Sequence, residues 1–457
     1  MTQNVAAIIL AAGEGKRMMS SLAKTTHRIA GIPIVAHVAR AAIGAEAERI
    51  VVVVGKDADQ VIAACGPGAE FVVQAERLGT GHACQQAEQL LGNYEGVVLV
   101  LCGDAPLITE RTLKKMLTEH NNTGSVATVL TAFPRETRGL GRISRDASGA
   151  FKEIVEEKDA DETELAIREI NAGFYCFNSQ ALFEALRHID NNNAQSEYML
   201  TDVLALLTTN GRVCTVITED FSETIGVNDR VWLSKAEEAM QARIREKLMW
   251  AGVTILSPSS TYIESDVAIA KDTVIYPGSV LRGSTHIGEG CEIGPHAILQ
   301  NATIGAKTTV INSVISDSRV GEHCNIGPFA HLRPENSIGD YVRVGNFVEV
   351  KKSQIGARSK IKHLSYVGDA IVGRDVNMGA GTIVVNHDGV NKHQTIILDN
   401  AFIGCNSNLV APVTIGESAV VAAGSTITKD VPAFSLGVGR ARQENKEGWV
   451  HRRGVRP

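Results

Sequence analysis

What the chain lacks narrows it first. Its eight cysteines, at 65, 84, 102, 176, 214, 291, 324 and 405, form no CxxC pair and no other tight metal-binding spacing. They read as reduced, mostly buried thiols of a cytoplasmic protein, not as a disulfide or zinc framework. No run approaches the ~18 apolar residues of a membrane span. The first apolar stretch, Val5 to Ala12, is short and follows no basic residue, so it does not read as a secretion signal. Cations are not in excess either. Lys plus Arg number 45 against 51 Asp plus Glu, a formal charge of −6, which gives no general reason to expect nucleic acid or an anionic membrane as partner. Hydrophobic residues are 44% and charged residues 21% of the 457, ordinary values for a folded chain. That length suits two or three domains at ~150 residues each.

Two rhythms divide what is present. Val5–Leu10, Ile50–Val54, Phe71–Val73, Val97–Leu101 and Val126–Leu130 are short Val/Ile/Leu-rich runs. Helix-length segments such as Ile34–Ala45 and Gly81–Leu91 lie between them. Continuous apolar runs separated by helices predict a parallel sheet covered on both faces, a doubly wound α/β domain over 1–228. Residues 229–250 read as one connecting helix: Asp229 can cap it, and Val231, Leu233, Ala236, Ala239, Met240, Ile244 and Leu248 recur at helical spacing. Its length is on the order of 33 Å at ~1.5 Å per residue.

Residues 251–457 read as a further domain with a C-terminal tail, and from 263 its rhythm becomes a six-residue repeat. Ile263, Ile269, Ile275, Leu281, Ile287, Ile293 and Leu299 are six apart, as are Val320, Ile326, Leu332, Ile338, Val344 and Val350, and again Ile403, Leu409, Ile415, Val421 and Ile427. Glycine often follows the aliphatic residue, as at Gly288, Gly294 and Gly321. A helix cannot keep a six-residue period on one face. A parallel β-helix can, with each repeat supplying a short strand and a turn. The polar stretch 385–395 breaks the phase and predicts a loop off the solenoid.

Several residues stand out chemically. After the first strand comes Leu10-Ala11-Ala12-Gly13-Glu14-Gly15-Lys16-Arg17-Met18, with Lys24 nearby. A glycine-rich turn between strand and helix exposes backbone N–H groups to phosphate. It lacks the third glycine of a dinucleotide fingerprint and the GK[ST] of a P-loop, so a plain strand–helix turn stays open. Asp104 follows the strand Val97–Leu101, where α/β sheets bind ligands. It suits Mg²⁺, which takes one or two carboxylates plus phosphates and water, and equally suits capping the next helix. In the solenoid, Arg333 and Lys351 can bind a sugar phosphate, and a neutral His363 can take a proton from a sugar ammonium group. Surface decoration is the alternative for that histidine.

Together LAAGxGxRM, QAERLGTGHA at 74–83, GDAPL at 103–107, GLGRI at 139–143, IVEEKDA at 154–160, EINAG at 169–173 and GVNDR at 226–230 resemble sugar-1-phosphate nucleotidylyltransferases. With the hexapeptide tail, the chain resembles the bacterial bifunctional N-acetylglucosamine-1-phosphate uridyltransferase/glucosamine-1-phosphate acetyltransferase family. The resemblance implies a Rossmann-like nucleotidyltransferase domain joined by a long helix to a left-handed parallel β-helix. It implies UTP, acetyl-CoA and glucosamine-1-phosphate as substrates, Mg²⁺ as cofactor, no membrane insertion and a homotrimer.

By the same resemblance Leu10, Ala11, Ala12, Gly13, Gln74, Gly79 and Thr80 contact the nucleotide. Gly141, Glu156 and Asn171 hold the sugar. Asp104 and Asn228 bind the metal, and Arg17 and Lys24 bind phosphates. His363 is the general base. Arg333, Lys351, Tyr366, Asn377, Asn386 and His387 contact glucosamine-1-phosphate. Ala380, Cys405, Ala423 and Arg440 line acetyl-CoA. The chain departs from the family at Lys16 (usually Thr), Ala23 (usually Pro), Thr25 and Thr26 (usually apolar), His387 (usually Tyr) and Cys405 (usually Ser). Losing Pro at 23 is expected to loosen the approach to Lys24. The cationic tail, Arg440, Arg442, Lys446, Arg452, Arg453 and Arg456, can neutralise coenzyme A phosphates or stand as a solvated terminus. A single-activity sugar nucleotidylyltransferase with a structural tail, and a non-catalytic sugar-nucleotide scaffold, are the competing readings.

Overall fold

The computed structural model describes residues 4–134, 137 and 139–453, which leaves Arg456 of the cationic tail outside the described residues. The chain divides into two compact units, 1–241 and 242–457.

In the first unit the apolar runs become one sheet. Its strand order is Val213–Ile217, Ala127–Ala132, Ile170–Asn178, Val97–Cys102, Val5–Ala11, Arg49–Val54 and Glu70–Val73. Successive side chains point to opposite faces, and both faces are buried. Ile9, Val52, Leu99 and Leu101 face one core, which includes Val35 and Val38 of helix Ile34–Gly44 and Leu113 and Met116 of helix Glu110–Thr123. Ile8, Val51, Val53, Val98 and Val100 face the other, with Leu182 of helix Ser179–Leu186 and Leu204 of helix Leu200–Leu207. The predicted helix Gly81–Leu91 is two pieces, Thr80–Gln86 and Glu88–Leu91.

The sheet is not wholly parallel as expected. Ile170–Asn178 runs antiparallel to both neighbours. The reason lies in what precedes it: instead of a crossover helix, residues 142–155 form a small antiparallel hairpin. The chain therefore re-enters the sheet at the end it left. Gly173, at φ 78°, sits within the register shift between Asn171 and Tyr175.

The predicted connecting helix runs Arg230–Trp250, and Asp229 Oδ1 accepts from Val231 N and Trp232 N at 2.9 Å each. Its apolar spacing does not form one buried stripe. Only Ala236 and Gln241 are buried, and Val231 is 65% exposed. Ile244 and Leu248 pack against the core of the second unit.

The second unit is three parallel sheets of eleven, ten and nine short strands, wound as a β-helix. Every aliphatic residue of the three six-residue series is buried. Where the series breaks off, the period drops to five. Ile304 follows Leu299 by five, Ile315 follows Val310, Val320 follows Ile315, Ile355 follows Val350 and Val372 follows Val367, and these are buried too. A corner shortened by one residue keeps the inward residue in place, so the solenoid tolerates both spacings. The off-phase stretch lies between strands Ile383–Val385 and Thr395–Ile397 as a small hairpin with an antiparallel bridge from His387 to Lys392. Among the described residues no helix is long and apolar enough to cross a membrane.

Candidate functional site

Two constellations emerge, one in each unit. In the first, a cavity of about 310 Å³ opens at the carboxyl ends of the strands Val5–Ala11 and Val97–Cys102. Leu10, Ala11, Ala12, Gly13, Lys24, Gln74, Gly79, Thr80 and Asp104, all expected site residues, line it.

The backbone explains the convergence. The Gly103 N–H donates to the Leu10 carbonyl at 3.0 Å, which sets the Asp104 turn beside the glycine turn. Gly15, at φ +64°, lets the chain pass so close to Lys24 that a Cβ would lie 2.7 Å from its side chain. Lys24 then reaches back, with Nζ 2.5 Å from Asp104 Oδ2 and 3.4 Å from Asn228 Oδ1. On the other wall, Gln74 Nε2 donates to the Gly79 carbonyl at 3.0 Å. Gly79, at φ +111°, lies where any Cβ would collide with the Tyr198 backbone.

Asp104 and Asn228 therefore aim oxygens at one cation, the Lys24 ammonium, in a corner where Lys24 and Asp104 are only 13% and 23% exposed. One carboxylate and one amide oxygen, with phosphates and water to complete the shell, fit a hard divalent ion. They do not fit a soft one, and among the described residues no cluster of three His, Cys, Asp or Glu could hold a metal.

Other expected residues lie outside the cavity. Gly141, Glu156 and Asn171 form their own group: Asn171 N donates to the Gly141 carbonyl at 2.9 Å, and Glu156 stands beside the bare Gly141 Cα. Burial raises the Glu156 carboxyl above its usual range. Asn171 Nδ2 donates to the Tyr175 hydroxyl at 2.7 Å. Cys102 links this group to the cavity, lining it while its thiol donates to the Gly173 carbonyl at 3.1 Å. Arg17 is exposed on the single turn Lys16–Met18 and does not line the cavity.

The departures have structural consequences. Ala23 keeps the proline-like φ of −57°, and its N–H, which proline would lack, donates to Gln60 Oε1 at 2.8 Å. The expected loosening is thus opposed by a hydrogen bond. Thr26 Oγ1 donates to the Ala23 carbonyl at 2.8 Å, whereas the buried Thr25 hydroxyl has no partner among the described residues. Lys16 is exposed and paired with Glu14 at 3.0 Å.

In the solenoid, stacking of coils aligns residues far apart in sequence. Val344, Ile361, Met378, Ile403 and Val421 are register partners along one sheet. Two residues beyond each stand Asn346, His363, Ala380, Cys405 and Ala423, a row along one corner. Neighbouring strands in such a sheet lie ~4.8 Å apart, which sets the spacing of the row. His363 Nδ1 is 3.0 Å from Asn346 Oδ1. With the carbonyl-type Oδ1 as acceptor Nδ1 donates, and in the neutral ring the lone pair then sits on Nε2. Arg440 is exposed just after Gly439, whose carbonyl accepts from Thr426 N at 3.0 Å.

A second row lies on the next sheet, where the partners Leu332, Val350 and Val367 are followed by Arg333, Lys351 and Gly368. Arg333 Nη1 is 3.0 Å from Glu349 Oε1. Gly368 leaves space for the Tyr366 hydroxyl and Asn386 Nδ2, which donates to Asp369 Oδ2 at 2.6 Å. His387 is exposed in the hairpin, where its Nδ1 accepts from Gly389 N at 3.3 Å. Asn377 is not brought to this group. It lies on the other sheet, in register with Lys360 and Phe402.

Sequence reasoning missed Asn346, Glu349, Asp369, Gln60 and Arg77. Reading one corner position on every coil would have found Asn346. Arg77 lay in plain view inside the glycine-rich motif at 74–83.

The family comparisons cover both units. The nucleotidyl transferase family model matches residues 6–248, and the bacterial transferase hexapeptide model matches 266–301 and 394–429. Nucleotidyl transferases of this kind use a divalent metal. Curated relatives named bifunctional protein GlmU match nearly end to end. That of Geobacillus sp. (strain WCH70) is 53% identical over 451 residues, covering 98% of each chain. That of Shouchella clausii is 51% identical over 445 residues, covering 97% of this chain and 98% of its own. A solved UDP-glucose pyrophosphorylase complexed with UDP-glucose overlaps 53% of this chain and 100% of its own at 19% identity and a TM-score of 0.45, too partial a likeness to add to the assignment. With a nucleotidyl transferase match over the α/β unit, hexapeptide matches on the solenoid, and half-identical relatives spanning both, the chain belongs to the GlmU family of bifunctional transferases.

Proposed function

We propose that the solenoid acetylates glucosamine-1-phosphate with acetyl-CoA and that the α/β unit then transfers UMP from UTP to the product, releasing pyrophosphate and yielding UDP-N-acetylglucosamine. The observation that supports it is that each unit carries its own cluster of groups suited to one of the two reactions. One unit has the Lys24–Asp104–Asn228 corner beside a glycine turn, and the other has His363 hydrogen-bonded to Asn346 on one sheet and the Arg333 and Lys351 row on the next.

In the first reaction His363 Nε2 takes a proton from the sugar ammonium group. The freed amine attacks the thioester carbonyl and the C–N bond forms; as the C–S bond breaks, the proton that nitrogen sheds on becoming an amide goes to the departing coenzyme thiolate. Asn346 orients the ring. Arg333, Lys351, Tyr366, Asn386 and His387 bind the sugar phosphate, and Ala380, Cys405, Ala423 and Arg440 line the coenzyme. In the second reaction a phosphate oxygen of N-acetylglucosamine-1-phosphate attacks the α-phosphorus of UTP in line. Lys24 holds the α-phosphate and Arg17 approaches from the rim. Gln74, Gly79, Thr80 and Leu10–Gly13 seat the uridine, while Gly141, Glu156 and Asn171 hold the sugar. Asp104 and Asn228 would hold the divalent ion, read as Mg²⁺, which would supply neutralisation of phosphate charge.

The assembly is a homotrimer. Phe329, Phe347 and Leu364 are 55%, 58% and 61% exposed on one corner of successive coils, beside His363, an apolar column suited to a second copy. Asn377, on a sheet apart from Lys351, serves a neighbouring copy's substrate. Eight free cysteines support a cytoplasmic location.

Mass spectrometry of products from glucosamine-1-phosphate, acetyl-CoA, UTP and Mg²⁺, omitting each in turn, tests the reading. UDP-N-acetylglucosamine is expected only from the full mixture, with N-acetylglucosamine-1-phosphate accumulating when UTP is left out. Absence of acetylated sugar phosphate in that second mixture refutes the acetyl-transfer assignment and leaves a single-activity nucleotidylyltransferase.

A further inference from the structure

Arg77 is assigned no role by the residues that hold nucleotide, sugar and metal above, yet it is placed to meet a polyanion. Its Nη1 lies 2.9 Å from Glu14 Oε2, and Lys16 Nζ lies 3.0 Å from the same oxygen. Glu14 sits in the turn between Gly13 and Gly15, so this one carboxylate on the phosphate turn holds two cations. Lys16 first and Arg77 second keep its carboxyl below the usual range. Arg77 also borders three adjoining spaces: the nucleotide cavity, a small recess under Gly13, and an open groove shared with Lys56.

Arg77 and Glu14 are 32% and 42% exposed. Ion pairs this exposed contribute little, so the carboxylate is readily exchanged for a ligand of higher charge. A guanidinium matches two phosphate oxygens with two parallel N–H groups, which a single carboxylate oxygen does not use fully. Lys24 and Asp104 mark the reacting end of the cavity. Arg77 lines the same cavity at the glycine turn, where it meets Glu14.

We propose that Arg77, exchanged from Glu14, grips the β- and γ-phosphates of UTP and the departing pyrophosphate, with Glu14 as the resident anion that holds the guanidinium ready until nucleotide enters. The inference rests on the uridylyl-transfer reading. In the step it serves, the bond from the sugar-phosphate oxygen to the α-phosphorus forms. The bond from the α-phosphorus to the bridging oxygen breaks, its electron pair leaving with pyrophosphate. Arg77 keeps its protons throughout.

The test compares the full-length protein with Arg77→Gln, Arg77→Lys and Glu14→Gln in Mg²⁺-dependent pyrophosphate release, with acetyl transfer and circular dichroism as controls for folding. Loss of one charge-assisted contact predicts a rise of about tenfold or more in KM for UTP for Arg77→Gln. The inhibition constant of pyrophosphate should weaken by a similar factor, while KM for N-acetylglucosamine-1-phosphate stays the same. Arg77→Lys should recover part of the loss. Glu14→Gln, which removes the competing anion, should lower KM for UTP. Unchanged UTP and pyrophosphate constants in Arg77→Gln overturn the inference. So does a Glu14→Gln effect of the same sign as Arg77→Gln, which would make the pair a brace for the turn. Calorimetric titration of inorganic pyrophosphate into the parent and Arg77→Gln proteins reads the contact without turnover. A parent that binds pyrophosphate through Arg77 but releases none from UTP would refute the uridylyl reading and leave the contact standing.

Discussion

In the first unit nine expected site residues line one cavity, and its central ion pair is 13% and 23% exposed. In the second, the Arg333–Glu349 pair stays 44% and 39% exposed on an open sheet face, and the expected residues are spread over two sheets. A doubly wound sheet makes a hollow where its strands end, because turns and helix starts rise around the carboxyl edge. A straight solenoid has flat faces and convex corners. It can align groups in rows with high regularity, but it cannot enclose them alone. Under the proposed trimer, the hairpin at 386–393 and a second copy of the chain would supply what the solenoid lacks in place of a hollow. Enclosure and alignment are thus two solutions to placing reactive groups, and they should fail differently when perturbed.

Four substitutions sharpen that contrast. In the enclosed site, Asp104→Asn removes the carboxylate that faces Lys24, and uridylyl transfer should fall about 10²–10³-fold while acetyl transfer is unchanged. Initial rates of the two half-reactions measure this. Gly79→Ala forces a side chain into a left-handed position against Tyr198; a penalty of about 1–3 kcal/mol should raise KM for UTP roughly ten- to hundredfold. In the aligned site the orienting contact runs between neighbouring coils. Asn346→Ala should lower kcat for acetyl transfer about three- to tenfold, the loss of one orienting hydrogen bond. It should alter the pH profile of kcat and leave KM for glucosamine-1-phosphate alone; a KM effect without a pH change would make Asn346 merely structural. The smallest effect belongs to Thr25→Val, which deletes a buried hydroxyl without a partner among the described residues. A gain of up to about 1 kcal/mol in the stability of the first unit is expected from denaturant unfolding.

The same contrast governs how much could be read from the chain alone. The solenoid was legible because its period is set by backbone geometry, and every aliphatic residue in the six-residue series turns inward. Its site was less so. His363 meets Asn346 across a coil of 17 residues (346 to 363), whereas Arg333 aligns with Lys351 across 18 (333 to 351). Five-residue corners therefore hide the rows from a six-residue reading. In the α/β unit the strands, the glycine turn and Asp104 were readable from local pattern. The antiparallel strand Ile170–Asn178 was not, because its direction depends on the hairpin before it. Gln60 holding Ala23, and Arg77 meeting Glu14, are tertiary contacts between loops with no periodic signature.

The account stands on two separate chemistries in one chain, and His363→Ala in the full-length protein tests that most directly, with both half-reactions assayed on one preparation. Acetyl transfer should fall about 10²–10⁴-fold, the usual worth of a positioned general base, while UMP transfer to N-acetylglucosamine-1-phosphate keeps its parental rate. Parental acetyl transfer, or loss of both reactions together in a folded protein, would contradict it.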